Sequence, residues 1–153
     1  MEGTSSPSPL SEIFDVPLSA IGFNFEEVSP HRVTSSLLVT EKCVQPFKVL
    51  HVGVSALIAE AGGPWVGAHL LTGYKRVAGI QLSINHVKSV LLGKGKSQIL
   101  ILVWEVHLWK ANPRNTQERL PVSSSRLTLL CNMPLPEHMK GRVDKIIKNC
   151  AKL

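Results

Sequence analysis

The chain has 153 residues, of which 44% are hydrophobic and 18% are charged, and its net charge is +6 at neutral pH. This length and composition suit one globular domain and exclude a chain that is disordered throughout. The basic charge would suit a nucleic-acid partner, but no nucleic-acid motif accompanies it. A solvated basic surface is therefore favoured, ahead of a site for a phosphate-bearing small ligand.

The N-terminal end of the chain differs in composition from the rest. Residues 1–9 are predicted to be a disordered tail, and residues 10–153 are predicted to form a single domain. Residues 1–9 lack the basic and apolar regions of a secretory signal, so no such signal is expected. The longest apolar run, in SQILILVWEV, is too short to span a membrane, and no membrane partner is expected.

The first half of the domain is predicted to contain helices around one strand. A short helix is predicted over Leu10–Ile21, and β-branched residues that roughly alternate favour a strand within Phe23–Thr40. A longer helix is predicted to open at Pro46, with apolar residues on both faces, as in a buried helix. The run Gly62-Gly63-Pro64 should end or kink this helix, and a second helical piece is predicted over Trp65–Leu71.

The second half is predicted to contain consecutive long strands. They are RVAGIQLSINHVKSVLL, then QILILVWEVHLWKA after the turn GKGKS, then LPVSSSRLTLLCNMP after the polar loop ANPRNTQER. The final segment, EHMKGRVDKIIKNCAKL, is predicted to form a basic C-terminal helix. Consecutive strands favour an antiparallel sheet, and one helix lying on that sheet makes the fold class α+β.

The cysteines and histidines show no metal-binding or disulfide pattern. Cys43, Cys131 and Cys150 are odd in number and widely spaced, which is typical of free thiols in a reducing compartment. The six histidines show neither HxH nor HExxH spacing, so no metal site is expected.

The long helix carries three polar residues, His51, Ser55 and Glu60, in an apolar run. A Glu at the solvent edge of the helix is one interpretation of Glu60; a functional role requires a partner group. Val52 and Glu60 are eight residues apart, which is ~12 Å along a helix and too far for both to touch one carbonyl group. If both serve one reaction, the N-terminus of one helix must meet Glu60 of a second chain, as in a two-fold dimer.

Such an arrangement would suit acyl transfer. The free N–H groups at a helix N-terminus can stabilise an oxyanion that forms from a carbonyl group. Glu60 would attack that carbonyl or activate water towards it, and Gln45, just before the helix, would hydrogen-bond a carbonyl or water.

Four segments, QPFKVLHVGVSALIAE, VAGIQLSINHVKS, VWEVHLWK and SSSRLTLLCN, resemble the hotdog-fold acyl-CoA thioesterases. More narrowly, they resemble the plant 1,4-dihydroxy-2-naphthoyl-CoA thioesterases of phylloquinone biosynthesis, from about Pro17 to Leu153. The resemblance implies a hotdog fold, in which an antiparallel sheet wraps around one long central helix. It also implies active sites at a homodimer interface, with pairs often assembled into a homotetramer. The implied reaction converts 1,4-dihydroxy-2-naphthoyl-CoA to 1,4-dihydroxy-2-naphthoate and CoA, with no cofactor beyond the CoA of the substrate.

The resemblance also implies a role for four residues around the helix. Glu60 would be the catalytic carboxylate, as nucleophile or general base. Gln45 would orient the thioester or water, and His51 would hold the helix start. The backbone N–H of Val52 would polarise the thioester carbonyl.

Further residues are candidates for binding the rest of the substrate. By resemblance, His86 falls near the acyl or pantetheine region, and Ser124, Ser125 and Arg126 are candidates for contact with the CoA nucleotide. A polar strand edge is the alternative interpretation of these last three residues. The C-terminal Ala151-Lys152-Leu153 resembles a Ser-Lys-Leu peroxisomal address, which implies a peroxisomal location and an import receptor as partner.

Three features depart from the family pattern. Val52 occupies the place of the first Gly of a His-Gly-Gly motif, and Pro64 stands where the family often has Ser or Thr. The segment after Ser89 is short, so the sheet is predicted to be one strand short, with four long strands or a compensating rearrangement. These departures favour an alternative function, a catalytically impaired paralogue that binds acyl-CoA or assembles with an active subunit.

Overall fold

The elements of the fold are those of a computed structural model, which describes residues 15–73, 75–93, 96–102, 105–112, 115–141 and 145. The predicted tail over 1–9 and the C-terminal Ala151-Lys152-Leu153 lie outside the described residues. The helices are α1 (Val16–Ala20), α2 (Val52–Ala61) and α3 (Pro64–Leu71). The strands are β1 (Asn24–Val28), β2 (Arg32–Leu38), β3 (Arg76–His86), β4 (Lys96–Leu102), β5 (Glu105–Asn112) and β6 (Asn115–Met133).

The strands form one antiparallel sheet, as predicted from their order in the sequence. The sheet has six strands in the order β1-β2-β4-β5-β6-β3. β3 pairs along most of its length with β6, from Arg76 opposite Met133 to His86 opposite Ser123. The other side of β3 is an edge, and no described strand of the chain pairs with it.

The core lies between one face of this sheet and α2. Ile58 and Ala59 of α2 are fully buried, together with the sheet residues Val33, Leu37 and Val106. Burial of this apolar surface is the main driving force for the packing of a helix on a sheet. The α+β class and the helix covered by an antiparallel sheet are therefore confirmed.

The long helix begins later than predicted. It starts at Val52, whereas the prediction placed its start at Pro46. The residues before it form a turn, in which the Lys48 N–H donates to the Gln45 carbonyl at 2.8 Å and Lys48 has a φ of 60°. A left-handed residue cannot continue a right-handed helix, and Phe47, predicted to be buried, is 83% exposed.

The break after α2 is confirmed at Gly62-Gly63-Pro64, and α3 begins at Pro64. A Cβ atom at Gly62 would lie 2.6 Å from the Ile58 carbonyl oxygen and 3.0 Å from the Phe23 ring, so only glycine fits there. Pro64 occupies the first turn of α3, where its missing N–H costs nothing. Pro64 thus opens a second helix that packs into the core.

The second helix contains a buried histidine. His69 lies on α3 with its Nδ1 atom 2.7 Å from the Trp65 carbonyl oxygen, to which the Nδ1–H of the neutral ring donates. Burial lowers the pKa of His69, because the charged imidazolium would lose its hydration. The ring also packs against the Trp65 indole at 3.8 Å between centroids, so His69 is part of the core and serves no solvent-accessible site.

The prediction of a sheet that lacks a strand is wrong. The segment predicted as a single strand folds into two strands, β4 and β5, which pair with each other from Ser97 opposite Lys110 to Leu102 opposite Glu105. β4 also pairs with β2, so β4 has a hydrogen-bonded neighbour on each side. Part of the predicted polar loop, Asn115–Arg119, belongs to β6, whose polar side chains did not signal a strand.

The ends of the described chain differ from the prediction in extent. Only Val16–Ala20 of the first predicted helix is helical among the described residues. The start of the predicted C-terminal helix is a short 3-10 turn, Glu137–Met139, and most of the residues after it lie outside the described part. Cys43 and Cys131 are free thiols, and Cys150 is outside the described residues. None of the helices in the described ranges has the length and apolar character needed to cross a membrane.

Candidate active site

The start of α2 is held by the side chain of His51. The Gly53 N–H donates a hydrogen bond to His51 Nδ1 at 2.8 Å, so this nitrogen carries no proton and the ring is the neutral tautomer protonated on Nε2. A Cβ atom at Gly53 would lie 3.0 Å from the same nitrogen. Glycine at this position therefore lets the imidazole approach the backbone, and the cap satisfies one of the free N–H groups of the first turn.

The remaining N–H groups of the first turn leave one donor free. Val54 and Ser55 both donate to the His51 carbonyl, at 3.0 and 3.2 Å. Within the described part of the chain, no group accepts a hydrogen bond from the Val52 N–H. The Val52 N–H is therefore available to a ligand, at the positive end of the helix dipole.

The backbone of Val52 is helical, so this position does not require the conformational freedom of glycine. The Val side chain is 58% exposed at the mouth of a cavity. Val52 therefore affects a substrate through the volume of its side chain, and not through its backbone conformation.

This cavity, which we call the N-terminal cavity, has a volume of about 250 Å³. It brings together three of the predicted site residues, Gln45, Val52 and His86, with the buried Ser55 on the next turn of α2. Most of its other lining is apolar, from Val49, Leu50, Val87, Val90 and Val122. An apolar cleft with a few convergent polar groups is the usual form of a small-molecule site.

Glu60 lies at the other end of α2, outside the N-terminal cavity. Its side chain is exposed in the single chain, so this residue lies at the solvent edge of a helix that was predicted to be buried. A Cβ atom at Gly79 would lie 3.5 Å from Glu60 Oε1, so the carboxylate sits over β3 next to the open edge of the sheet. It lines a separate cavity of about 240 Å³ with Asp15, Ala61 and Trp65. Within one chain, Glu60 and Val52 therefore line two different cavities.

The three residues proposed for the CoA nucleotide line a further cavity, of about 260 Å³, with Glu105 and His107. Arg126 Nη2 is 3.2 Å from Glu105 Oε1, and His107 Nε2 is 3.4 Å from Glu105 Oε2. The hydrogen bond from Arg126, and then that from His107, lowers the pKa of Glu105. Ser125 is buried and donates to the Val106 carbonyl at 3.2 Å, so its hydroxyl is used within the fold.

This group of residues is thus a polar surface on β5 and β6 that does not share a cavity with Val52. Glu105 and His107 had no predicted role, although their alternation in VWEVHLWK placed them on one face of a strand. Among the described residues, no group of three or more His, Cys, Asp or Glu side chains is arranged to hold a metal ion.

Comparison with known proteins identifies the family. No protein-family model matches the chain. A solved thioesterase from Haemophilus influenzae superposes with a TM-score of 0.63 at 22% identity, over 88% of this chain and 95% of that one, which shows the fold. The 1,4-dihydroxy-2-naphthoyl-CoA thioesterase 2 of Arabidopsis thaliana is 48% identical over 153 residues, which cover 92% of this chain and 95% of the relative. This chain belongs to the hotdog-fold acyl-CoA thioesterases.

A bacterial relative supports the same family. The 1,4-dihydroxy-2-naphthoyl-CoA hydrolase of Escherichia coli is 31% identical over 113 residues, which cover 71% of this chain and 82% of the relative. The resemblance inferred from the helix motif and the strand segments is therefore confirmed at the level of the family. The roles of individual residues in this thioesterase stay predictions.

We expect the hydrogen bond from the Gly53 N–H to His51 to contribute to the free energy of unfolding, because it holds the first turn of α2. Replacing a good N-cap by Ala costs about 1 kcal/mol, so His51→Ala should lower the free energy of unfolding by about that amount in chemical denaturation. His51→Asn offers another capping side chain and should retain most of the stability. An unchanged free energy of unfolding in His51→Ala would show that the Gly53–His51 hydrogen bond does not stabilise the helix start.

Proposed function

We propose that this thioesterase hydrolyses 1,4-dihydroxy-2-naphthoyl-CoA to 1,4-dihydroxy-2-naphthoate and CoA, as part of phylloquinone biosynthesis in a plant. The activities for which the Arabidopsis and Escherichia coli relatives are named support the substrate. The observation that carries the proposal is the free Val52 N–H at the mouth of the N-terminal cavity. The reaction needs no cofactor, because the groups of the protein and the thioester itself supply the chemistry.

The proposed chemistry divides between two groups. The Val52 N–H donates to the thioester carbonyl oxygen and stabilises the negative charge that develops there. In one route, Glu60 attacks the carbonyl carbon and releases CoA as its thiolate, leaving an acyl anhydride that water hydrolyses. In the other route, Glu60 takes a proton from a water that attacks the carbonyl carbon, and the tetrahedral intermediate then expels CoA as its thiolate. Gln45 orients the carbonyl or the water from the rim of the same cavity.

We propose that the two groups come from two copies of the chain. Glu60 lies beside Gly79 in the first half of β3, and His86 at the end of β3 lines the N-terminal cavity. Gly79 and His86 are seven residues apart, or ~23 Å in a regular strand, and the irregularity between Gly79 and Gln81 brings them to the same face of β3. A second copy that paired antiparallel along the open edge of β3, with its axis near Ser83, would set Gly79 of each copy opposite His86 of the other.

This pairing would bring Glu60 of each chain towards the N-terminal cavity of its partner. It would also cover Ile80, which is 62% exposed on β3, and would satisfy the unpaired edge of the sheet. A homodimer with two shared active sites is therefore the proposed unit, and a homotetramer would arise if such dimers associate further.

The CoA portion of the substrate is proposed to use the polar surface on β6. Arg126 is exposed and its guanidinium is only partly occupied by Glu105, so it retains donors for a phosphate. Ser124 lies beside Arg126 and adds a hydroxyl. The Ser125 hydroxyl donates to the Val106 carbonyl, so Ser125 supports the strands that carry this surface. The net charge of +6 agrees with a ligand that carries several phosphate charges.

The shared site can be tested with heterodimers. We expect Gln45→Ala and Glu60→Ala each to reduce thioester hydrolysis by about a hundredfold as homodimers. A heterodimer of one Gln45→Ala chain and one Glu60→Ala chain, isolated with two affinity tags, contains one intact site. It should recover about half of the wild-type rate per dimer in a thiol-release assay.

A matched heterodimer provides the control. One chain carries both substitutions and the other is wild type, so neither shared site is intact and the rate should be as low as in the parents. If each site instead lay within one chain, the outcomes would be reversed, with recovery in this control and none in the first heterodimer.

An alternative function is that of a catalytically impaired paralogue that binds acyl-CoA or assembles with an active subunit. The observation that favours it is the branched side chain of Val52, which is exposed where the thioester must approach its N–H. Under this alternative, the wild type releases no thiol from any acyl-CoA tested and Val52→Gly restores release, because glycine opens the approach. Wild-type hydrolysis that Val52→Gly raises less than about twofold would contradict it.

The peroxisome is the proposed location. The C-terminal Ala151-Lys152-Leu153 has the small, basic and leucine residues of a receptor-read address, which an import receptor would bind. A fluorescent protein fused to the N-terminus should therefore enter peroxisomes, and the same fusion without these three residues should stay in the cytosol. Peroxisomal fluorescence that survives the deletion would rule out this address.

A further inference from the structure

Ser55 is a buried hydroxyl without a partner. The residue is 1% exposed, and its Oγ atom makes no hydrogen bond to any described residue. Buried polar atoms are normally hydrogen-bonded, and an orphaned one calls for an explanation, such as a ligand that completes it. Ser55 lines the N-terminal cavity, so a ligand in that cavity can reach it.

The helix does not supply the missing bond. A serine within a helix often donates to the carbonyl four residues earlier, which here is that of His51. The His51 carbonyl already accepts from the N–H groups of Val54 and Ser55 itself, and Ser55 Oγ makes no bond to it. A ligand in the N-terminal cavity is therefore the candidate hydrogen-bond partner of Ser55 Oγ.

The position of Ser55 ties it to the proposed reaction. Helix side chains lean towards the N-terminus, so Ser55 lies over the turn that begins at Val52, three residues earlier. An acyl group whose carbonyl is held by the Val52 N–H therefore passes Ser55 as it enters the cavity. The rest of the wall there is apolar and includes Leu50, Val90 and Val122, so it suits a flat aromatic ring.

We propose that Ser55 determines specificity by hydrogen-bonding a hydroxyl substituent on the acyl group. Its Oγ can donate to or accept from a hydroxyl next to the thioester-bearing carbon, so the cavity selects hydroxylated aromatic acyl groups over unsubstituted ones. An unsubstituted ring would leave the buried hydroxyl without a partner in the complex, which is the physical basis of the discrimination. The inference rests on the proposed function, because it assumes that the acyl group enters this cavity.

The test compares two acyl groups that differ by one hydroxyl. The kcat/KM values for 1-hydroxy-2-naphthoyl-CoA and 2-naphthoyl-CoA are measured for the wild type and Ser55→Ala. The ratio of the first to the second should fall by about tenfold in Ser55→Ala, the loss expected for one hydrogen bond. An unchanged ratio would overturn the proposal.

Ser35 provides a matched control. It is also a fully buried serine whose hydroxyl has no partner among the described residues, but it lies on β2 and does not line the N-terminal cavity. Ser35→Ala should leave the ratio at the wild-type value, whereas an equal fall in both variants would refute a specific contact by Ser55. The substitution Ser55→Ala removes no hydrogen bond to a described residue, so the variant should fold, and thermal unfolding checks this.

A binding measurement separates this inference from the proposed function. The two S-(2-naphthyl-2-oxoethyl)-CoA thioethers, with and without a hydroxyl at ring position 1, keep the carbonyl but cannot be hydrolysed. If the wild type hydrolyses neither these two thioesters nor 1,4-dihydroxy-2-naphthoyl-CoA, the proposed function fails, yet calorimetry with these analogues still decides the role of Ser55. Preference of the wild type for the hydroxylated analogue, lost in Ser55→Ala, supports the inference; equal affinities for both analogues in both proteins overturn it.

Discussion

The length of α2 is the constraint on which the proposed site depends. The helix is held at its first turn by the Gly53–His51 hydrogen bond and ends at Gly62, where only glycine fits against Ile58 and Phe23. Between these two ends, the free Val52 N–H and the Glu60 carboxylate are separated by the rigid rise of the helix. Neither group can move to the other, so a reaction that uses both must be completed by a second chain.

The open edge of β3 offers a place where a second chain could pair and complete the proposed site. The strand is paired along most of its length with β6 on one side, and no described strand pairs with its other side. Glu60 lies over its first half, and His86 lies at its end beside the N-terminal cavity. An exposed strand edge is a template for pairing with another chain. The same feature that would be a liability in a monomer would, in a two-fold dimer, set the two halves of the proposed site against each other.

Local signals in the sequence were sufficient for several elements and misleading for others. Gly62-Gly63-Pro64 predicted the break between α2 and α3, because glycine and proline act on the backbone directly. The start of α2 was misplaced because Phe47 and Leu50 fall at helical spacing, although Lys48 adopts a left-handed conformation between them. The segment QILILVWEVHLWKA was predicted as one strand, because an apolar run has no feature that marks where β4 ends and β5 begins.

The sequence by itself determined the family, the helix motif and the candidate residues around it, since these depend on residue types at short spacing. It placed His51, Val52 and Glu60 along one helix with Gln45 just before it, and implied from the helical rise that two chains are needed. Only the tertiary structure decided that Gln45, Val52 and His86 meet in one cavity, and that Ser124 and Arg126 belong to another. It also decided that Ser55 is buried without a partner, because satisfaction of a polar group depends on what the rest of the fold brings near it.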